Sequence, residues 1–217
     1  GKILGVGVPS VIMVAIGSVM NYFLNLILFS FSKLAVAVFG AYFKVQSMAF
    51  MPVFGLNNGM IPIISYNYGA QRPDRMKRTM KLGVMVGCSI MLFCLVIMQL
   101  FPGQILKIFD ATDDMLSMGI PAVRIMSTAF IFAGFSVTCS GMFQAVGKGV
   151  YSMIVSMARQ LFVILPVAYF LSKAMNSVNG VWAAFPIAEV FSVIISTILL
   201  LRVYKEIVKP MESVQRY

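Results

Sequence analysis

The sequence predicts an all-α polytopic membrane protein, and three observations carry that prediction. Hydrophobic residues make up 60% of the 217 positions and charged residues only 11%, against roughly a quarter charged in soluble domains. Mean hydropathy is +0.92. Apolar runs of about twenty residues recur, each long enough to cross a bilayer core of roughly 30 Å.

Six spans can be taken in order. The first covers residues 6–31, with no charge between Lys2 and Lys33, Pro9 near its start, and Asn21 and Asn25 four apart. The second, residues 34–68, is longer than a bilayer needs, so it is expected to tilt, bend at a proline or project into water. Its Gly55 and Gly59 stand four apart, a spacing that flattens one helix face for a close neighbour. Pro52 and Pro62 remove backbone donors from the same helix. Gly69, after Tyr66 and Tyr68, reads as a left-handed helix end at interface depth. Arg72, Arg75, Lys77, Arg78 and Lys81 then form a basic loop against the single acid Asp74.

The third span, residues 82–101, stops at Pro102-Gly103 and presents Gly83 and Gly87 as another small-residue face. A polar stretch leads to the fourth, residues 115–146, and Gly147-Lys148-Gly149 turns into the fifth, residues 151–172. The sixth is residues 181–203, and residues 204–217 read as a basic cytoplasmic tail.

Orientation follows from charge. With the loop at residues 72–81 inside, alternation also puts both ends of the segment and Lys148 inside. Eleven basic residues are then cytoplasmic: Lys2, the five of the loop, Lys148, Arg202, Lys205, Lys209 and Arg216. Only Lys33, Lys107 and Lys173 are outside, beside Asp110, Asp113 and Asp114. That asymmetry is the positive-inside pattern, in a plasma membrane with both termini of the segment cytoplasmic. It also accounts for the net charge of +10 through cytoplasmic loops and anionic lipid headgroups, so no nucleic-acid partner is expected.

Several function classes drop out. Cys88, Cys94 and Cys139 lie inside apolar runs without a CxxC pair and read as small buried hydrophobes. There is no histidine, hence none of the commonest metal ligand and general base, and no metal site or cofactor is expected. No nucleophile–base pair or phosphate-cradling loop points to an enzyme or an ATP-driven pump. No filter sequence points to a channel. A secondary transporter remains, with its site near the midplane. The chain does not open on Met, no signal peptide is expected, and it is expected to be a piece of something longer.

Four ionisable residues sit inside spans, where a charge must face protein or water and find a partner: Lys44, Arg124, Arg159 and Glu189. At about 1.5 Å per residue, Arg159 and Glu189 fall within a turn or so of each other in depth on antiparallel neighbours. They read either as a pair that fixes helix register or as part of transport. Lys44 and Arg124 each lie roughly 14 Å below the outer surface by the same counting, with no obvious acidic partner in the chain. A water-filled cavity, acids supplied from elsewhere, and snorkelling to the outer interface are the three readings. Asn21, Asn25, Gln46, Asn57, Asn58, Gln144 and Gln160 are neutral polar groups within spans, suited to hydrogen bonds between helices or to a ligand. The 18 Met and 18 Phe suit lipid and core packing, or a surface that accepts varied apolar ligands.

Two stretches carry a family resemblance. GLNNGMIPIISYNYGAQRPDRMKR resembles the helix end and cytoplasmic loop of multidrug and toxic compound extrusion (MATE) transporters. ARQLFVILPVAYFLS with NGVWAAFPIAEVFS resembles their last two helices, including Arg159, Pro166, Gly180, Trp182, Pro186 and Glu189. The match runs in order along nearly the whole chain. It implies one six-helix lobe, the C-terminal one, of a twelve-helix transporter that exports organic cations and other drugs in exchange for Na⁺ or H⁺ by alternating access. Its partners would be those small molecules, the N-terminal lobe and membrane lipid. The resemblance also implies a cavity lined by the first, second and fourth helices, here through Asn21, Asn25, Lys44, Gln46, Arg124 and Gln144. Some branches of the family bind the coupling cation with a Glu in the seventh helix and an Asp in the tenth. Neither acid is present in the corresponding spans, which implies a coupling acid in the other lobe. The positive charge of this half leaves a flippase for lipid-linked sugars, from the same superfamily, as the runner-up. A structural membrane subunit without transport is the third reading.

Overall fold

The computed structural model describes the backbone of residues 2–214 and the side chains of residue 8 and residues 11–213. The side chains of Lys2 and Pro9, and Arg216 altogether, lie outside the described residues. Every long element is a helix. The first two spans are α1 (Lys2–Phe29) and α2 (Lys33–Gly69). Ser32 starts α2 by accepting the Ala35 N–H at 3.0 Å, the usual work of an N-cap hydroxyl. The helix then runs unbroken for 37 residues through Pro52 and Pro62, or about 55 Å. It therefore overshoots a bilayer core of roughly 30 Å rather than breaking.

Helix α3 is Pro73–Leu100, so the basic residues expected in a loop, all but Arg72, ride its first turns instead. The reason is Pro73 at the first helical position, where its missing N–H costs nothing, with Asp74 in the first turn favoured by the helix dipole. Only Ala70, Gln71 and Arg72 connect α2 to α3. Gly69 is not the left-handed residue: Gln71 is, with φ 54°. The Arg72 N–H donates to the Asn67 carbonyl at 2.9 Å and the Gln71 N–H to Tyr68 at 3.1 Å. That pair of bonds is a Schellman ending, and it fixes Gln71 as the reversed residue.

The fourth expected span divides. After the short α4 (Pro102–Lys107) come α5 (Asp113–Ser127) and α6 (Phe130–Ala145), bent by 50°. Hydroxyls at the elbow draw the chain tight: Ser127 donates to the Arg124 carbonyl at 3.2 Å and Thr128 to Ile125 at 2.7 Å. The Thr128 and Ala129 N–H groups also bond three residues back. Side-chain hydroxyls compete with the helical ladder in this way. Gln99 of α3 stitches the elbow by donating to the Arg124 carbonyl at 2.8 Å.

Helix α6 is the centre of the bundle, packed on α2, α3 and α9. The glycines of α3 explain the close approach. A Cβ on Gly87 would stand 2.7 Å from Thr138 Oγ1, and one on Gly134 of α6 only 2.9 Å from the Cys88 Cα. Gly55 and Gly59 behave otherwise: nothing lies within 4 Å of the Cβ position of either. The buried stripe of α2 runs through Val53, Asn57, Met60, Ile64 and Asn67. Gly55 follows Val53, and Gly59 follows Asn57, by two residues, about 200° around the helix, so their flat face points away from this bundle.

The fifth span is α7 (Gly149–Met157), a wide-turn π-helical segment (Ala158–Ile164) and α8 (Leu165–Met175). The sixth is α9 (Asn179–Val203), a second wide-turn segment (Tyr204–Val208) and α10 (Lys209–Val214). Residues 204–214 are thus a continuation of the helix and not a loose tail. Ile207 and Met211 are buried in a cluster with Met76, Met80, Met142 and Phe143, and Val208 is buried as well. Exposed ion pairs flank it, Lys77 with Glu212 at 2.6 Å and Arg202 with Glu206 at 2.7 Å. Burial should outweigh these pairs, because exposed salt bridges contribute little. The Ile207→Ala, Met211→Ala double variant is expected to speed tryptic cleavage at Arg202 and Lys205 at least severalfold, while Lys77→Ala leaves it near wild type.

Candidate functional site: a polar cavity with one buried ion pair

A cavity of about 680 Å³ opens among α1, α2, α6, α9 and the fifth span, a size typical of small-molecule sites. Its apolar wall includes Met13, Met20, Met51, Phe43, Phe50 and Phe54. The rest of the wall is polar. Arg159 Nη1 donates to Glu189 Oε1 at 2.7 Å, with side chains 22% and 9% exposed. Two opposite charges so far from water persist only as partners, since either one alone would be an uncompensated buried charge.

The wide turn aims Arg159. Pro166 has no N–H to return to the Phe162 carbonyl, and the chain upstream resolves the missing bond by widening into the segment that carries Arg159 and Gln160. Such single wide turns concentrate at functional sites. Both residues line the cavity. Asn57 is 8% exposed and donates through Nδ2 to the Val137 carbonyl at 2.9 Å. The close passage of α6 at Gly141 leaves its side chain no room to turn, a Cβ there standing 2.8 Å from it.

The expected site residues separate into two groups. Asn21, Gln46, Gln144, Arg159 and Glu189 share the cavity wall. Asn25, Lys44 and Arg124 do not line it. Lys44 is exposed, its Nζ 5.9 Å from the centre of the Phe109 ring. It precedes Gln46 by two residues, about 200° around α2, so the two cannot face one space. Arg124 is exposed on α5, the outer limb of the broken span, whereas the cavity takes Ser136, Val137, Ser140 and Gln144 from α6. The 50° elbow separates them. Asn25 lies one turn beyond Asn21, past the end of the cavity. Of the hinge and packing set, Pro52, Gly55, Gly59, Pro62 and Gly69 are all exposed on α2.

Ser192 is a wall residue that sequence reasoning passed over. Its signal was its place three residues after Glu189, on the same helix face. Four polar atoms of the wall are buried without a hydrogen-bond partner among the described residues besides the Arg159 Nε: Asn21 Oδ1, Asn57 Oδ1, Glu189 Oε2 and Ser192 Oγ.

Comparison with known proteins agrees in sequence and in fold. The MatE family model matches residues 9–170. The multidrug export protein MepA of Staphylococcus haemolyticus is 25% identical over 182 residues, covering 84% of this chain and 40% of that protein. MepA of Staphylococcus saprophyticus is 27% identical over the same length and coverage. Among solved structures, a MATE transporter in its bent conformation superposes with a TM-score of 0.90 at 21% identity, over 100% of this chain and 47% of that one. A MOP-superfamily transporter from Pyrococcus furiosus, described as having a binding pocket of reverse polarity, gives 0.88 at 21% identity, over 97% and 47%. The chain spans about two-fifths of the length of the curated relatives it matches.

Proposed function

The chain belongs to the MatE family, and from that premise we propose that it forms one half of a secondary active multidrug efflux transporter of the plasma membrane. In this reading it exports organic cations and other drugs in exchange for Na⁺ or H⁺ by alternating access. A second six-helix lobe completes the cavity, because alternating access moves two bundles against each other around a midplane site. Substrate enters against the Met- and Phe-rich wall, where adaptable side chains accept varied apolar bodies.

The single observation that carries this reading is the cavity itself, a ligand-sized space whose only charges among the described residues are the Arg159–Glu189 pair. A formally neutral lining supports a drug or organic cation over the anionic lipid-linked sugar of a flippase. Lys44 and Arg124, which favoured the flippase on sequence, stand outside the lining. A structural subunit would need no polar cavity at all.

The test is ethidium efflux from cells expressing the twelve-helix protein that this reading implies, with and without an ionophore that collapses the Na⁺ or H⁺ gradient. Gradient-dependent efflux is expected, reduced at least tenfold by Glu189→Gln. Folded, membrane-inserted protein that moves no organic cation would overturn the reading in favour of the flippase.

A further inference from the structure

We propose that Glu189 carries a binding site for a monocation within this lobe, and that Arg159 is the resident cation the ligand replaces. The inference deepens the transport reading and rests on it for its role in the cycle.

The unfilled valences of the cavity point to such a ligand. Two of its buried, unpartnered atoms, Glu189 Oε2 and Asn21 Oδ1, are pure acceptors. Asn57 Oδ1 lies about 16 Å deeper along the bundle, by helix rise from the Tyr42–Phe185 contact, and takes no part. Glu189 is only 7% exposed. Buried oxygens of this kind are almost always met by a donor or a cation. Ser192 Oγ, one turn from Glu189, can serve as a third oxygen because a hydroxyl both donates and accepts. Against these stands one unpartnered donor in the wall, Arg159 Nε. The set is oxygen-rich, with a single carboxylate, and therefore suits one positive charge. A dissolved alkali ion and the N–H-bearing end of an organic cation offer the same chemistry to it.

The ion pair is built for exchange. Two parallel N–H···O bonds would hold guanidinium and carboxylate rigidly. Here Arg159 and Glu189 share one bond at 2.7 Å, and Glu189 Oε2 and Arg159 Nε remain idle. Arg159 is also the more exposed partner, at 22% against 9%, and sits on the wide-turn segment. Displaced, its guanidinium turns into cavity water while the incoming cation keeps Glu189 neutralised. No buried charge is left alone at either end of the exchange. This puts a cation-binding acid in this lobe, whereas the family resemblance alone implied one in the other.

The experiment measures binding to the purified twelve-helix transporter in lipid nanodiscs, with radioactive Na⁺ alone and, separately, ethidium alone. Glu189→Gln should weaken binding of one or both probes at least tenfold, and Ser192→Ala severalfold. Arg159→Gln, which removes the competitor, should tighten it severalfold. Opposite signs for the two halves of the pair are the signature of exchange. A sodium-only response identifies the coupling ion and an ethidium-only response the substrate; both support the site. Binding of both probes that is unchanged, or shifted in one direction by both substitutions, overturns it and leaves a register-fixing pair. If wild-type efflux persists in that case, the transport reading stands without this site. Should Glu189→Gln fail to fold, the Arg159→Gln and Ser192→Ala results decide alone.

Discussion

Replacing Gly134 by leucine is expected to abolish the folded bundle, while the same replacement at Gly55 leaves it folded. Both are helical glycines in apolar surroundings, and composition cannot tell them apart. At Gly134 the added Cβ would lie 2.9 Å from both the Cys88 Cα and the Gly87 carbonyl oxygen. These are backbone atoms of α3, held on their own helix, so α3 and α6 must move apart. Separation would also lift Gly83 and Gly87 off Thr138 and Met60. Ordinary overpacking costs about 1–3 kcal/mol where side chains can yield; where only backbone is available the cost should exceed that range. At Gly55 nothing lies within 4 Å, and leucine is also the better helix former, by up to about 1 kcal/mol. Monodispersity and melting temperature in detergent would show the contrast. Equal stability of the two variants would mean that α3 and α6 do not meet as described.

The second large effect is expected from deleting Phe162. This residue is 69% exposed, so its side chain contributes little to packing here. Its backbone belongs to the wide-turn segment Ala158–Ile164, which holds one residue more than an α-helix would. Removing one residue lets ordinary pairing resume. Gly180 locks α9 against α8, a Cβ there standing 2.5 Å from the Leu171 carbonyl carbon. The flanks therefore keep their places, and the change falls inside the segment, where the turn that carries Arg159 tightens and re-aims it. Arg159 leaves Glu189, and the stranded carboxylate costs about 3–5 kcal/mol. Efflux should fall to background with helix content by circular dichroism unchanged. Wild-type efflux in the deletion would show that the wide turn does not aim Arg159.

Much of this was legible in the sequence, and the failures have physical causes. Hydropathy located the spans because a bilayer demands runs of a given length. Depth counting placed Arg159 near Glu189 because rise per residue is constant on straight antiparallel helices. Direction was harder. Lys44 and Gln46 shared a predicted cavity because depth was counted and azimuth was not. Gly55 and Gly59 have the spacing of a packing face, but which face is buried depends on Val53, Asn57 and Met60 being chosen by α3 and α6. The elbow at Thr128 escaped because its hydroxyl-to-carbonyl bonds occur within a continuous apolar run. The helical ending after residue 203 escaped because its charges mask Ile207 and Met211, which are buried in one cluster with Met76, Met80, Met142 and Phe143, more than sixty residues earlier.

That last contact sets an order of assembly. Met76 and Met80 lie in the first turns of α3, yet Ile207 and Met211, which share their buried cluster, are translated only after α4 to α9. The spans can enter the bilayer while this end of the bundle stays uncovered. Closure of the cluster therefore waits for the segment that follows α9, and until then the base of α3 is surface that quality control can read.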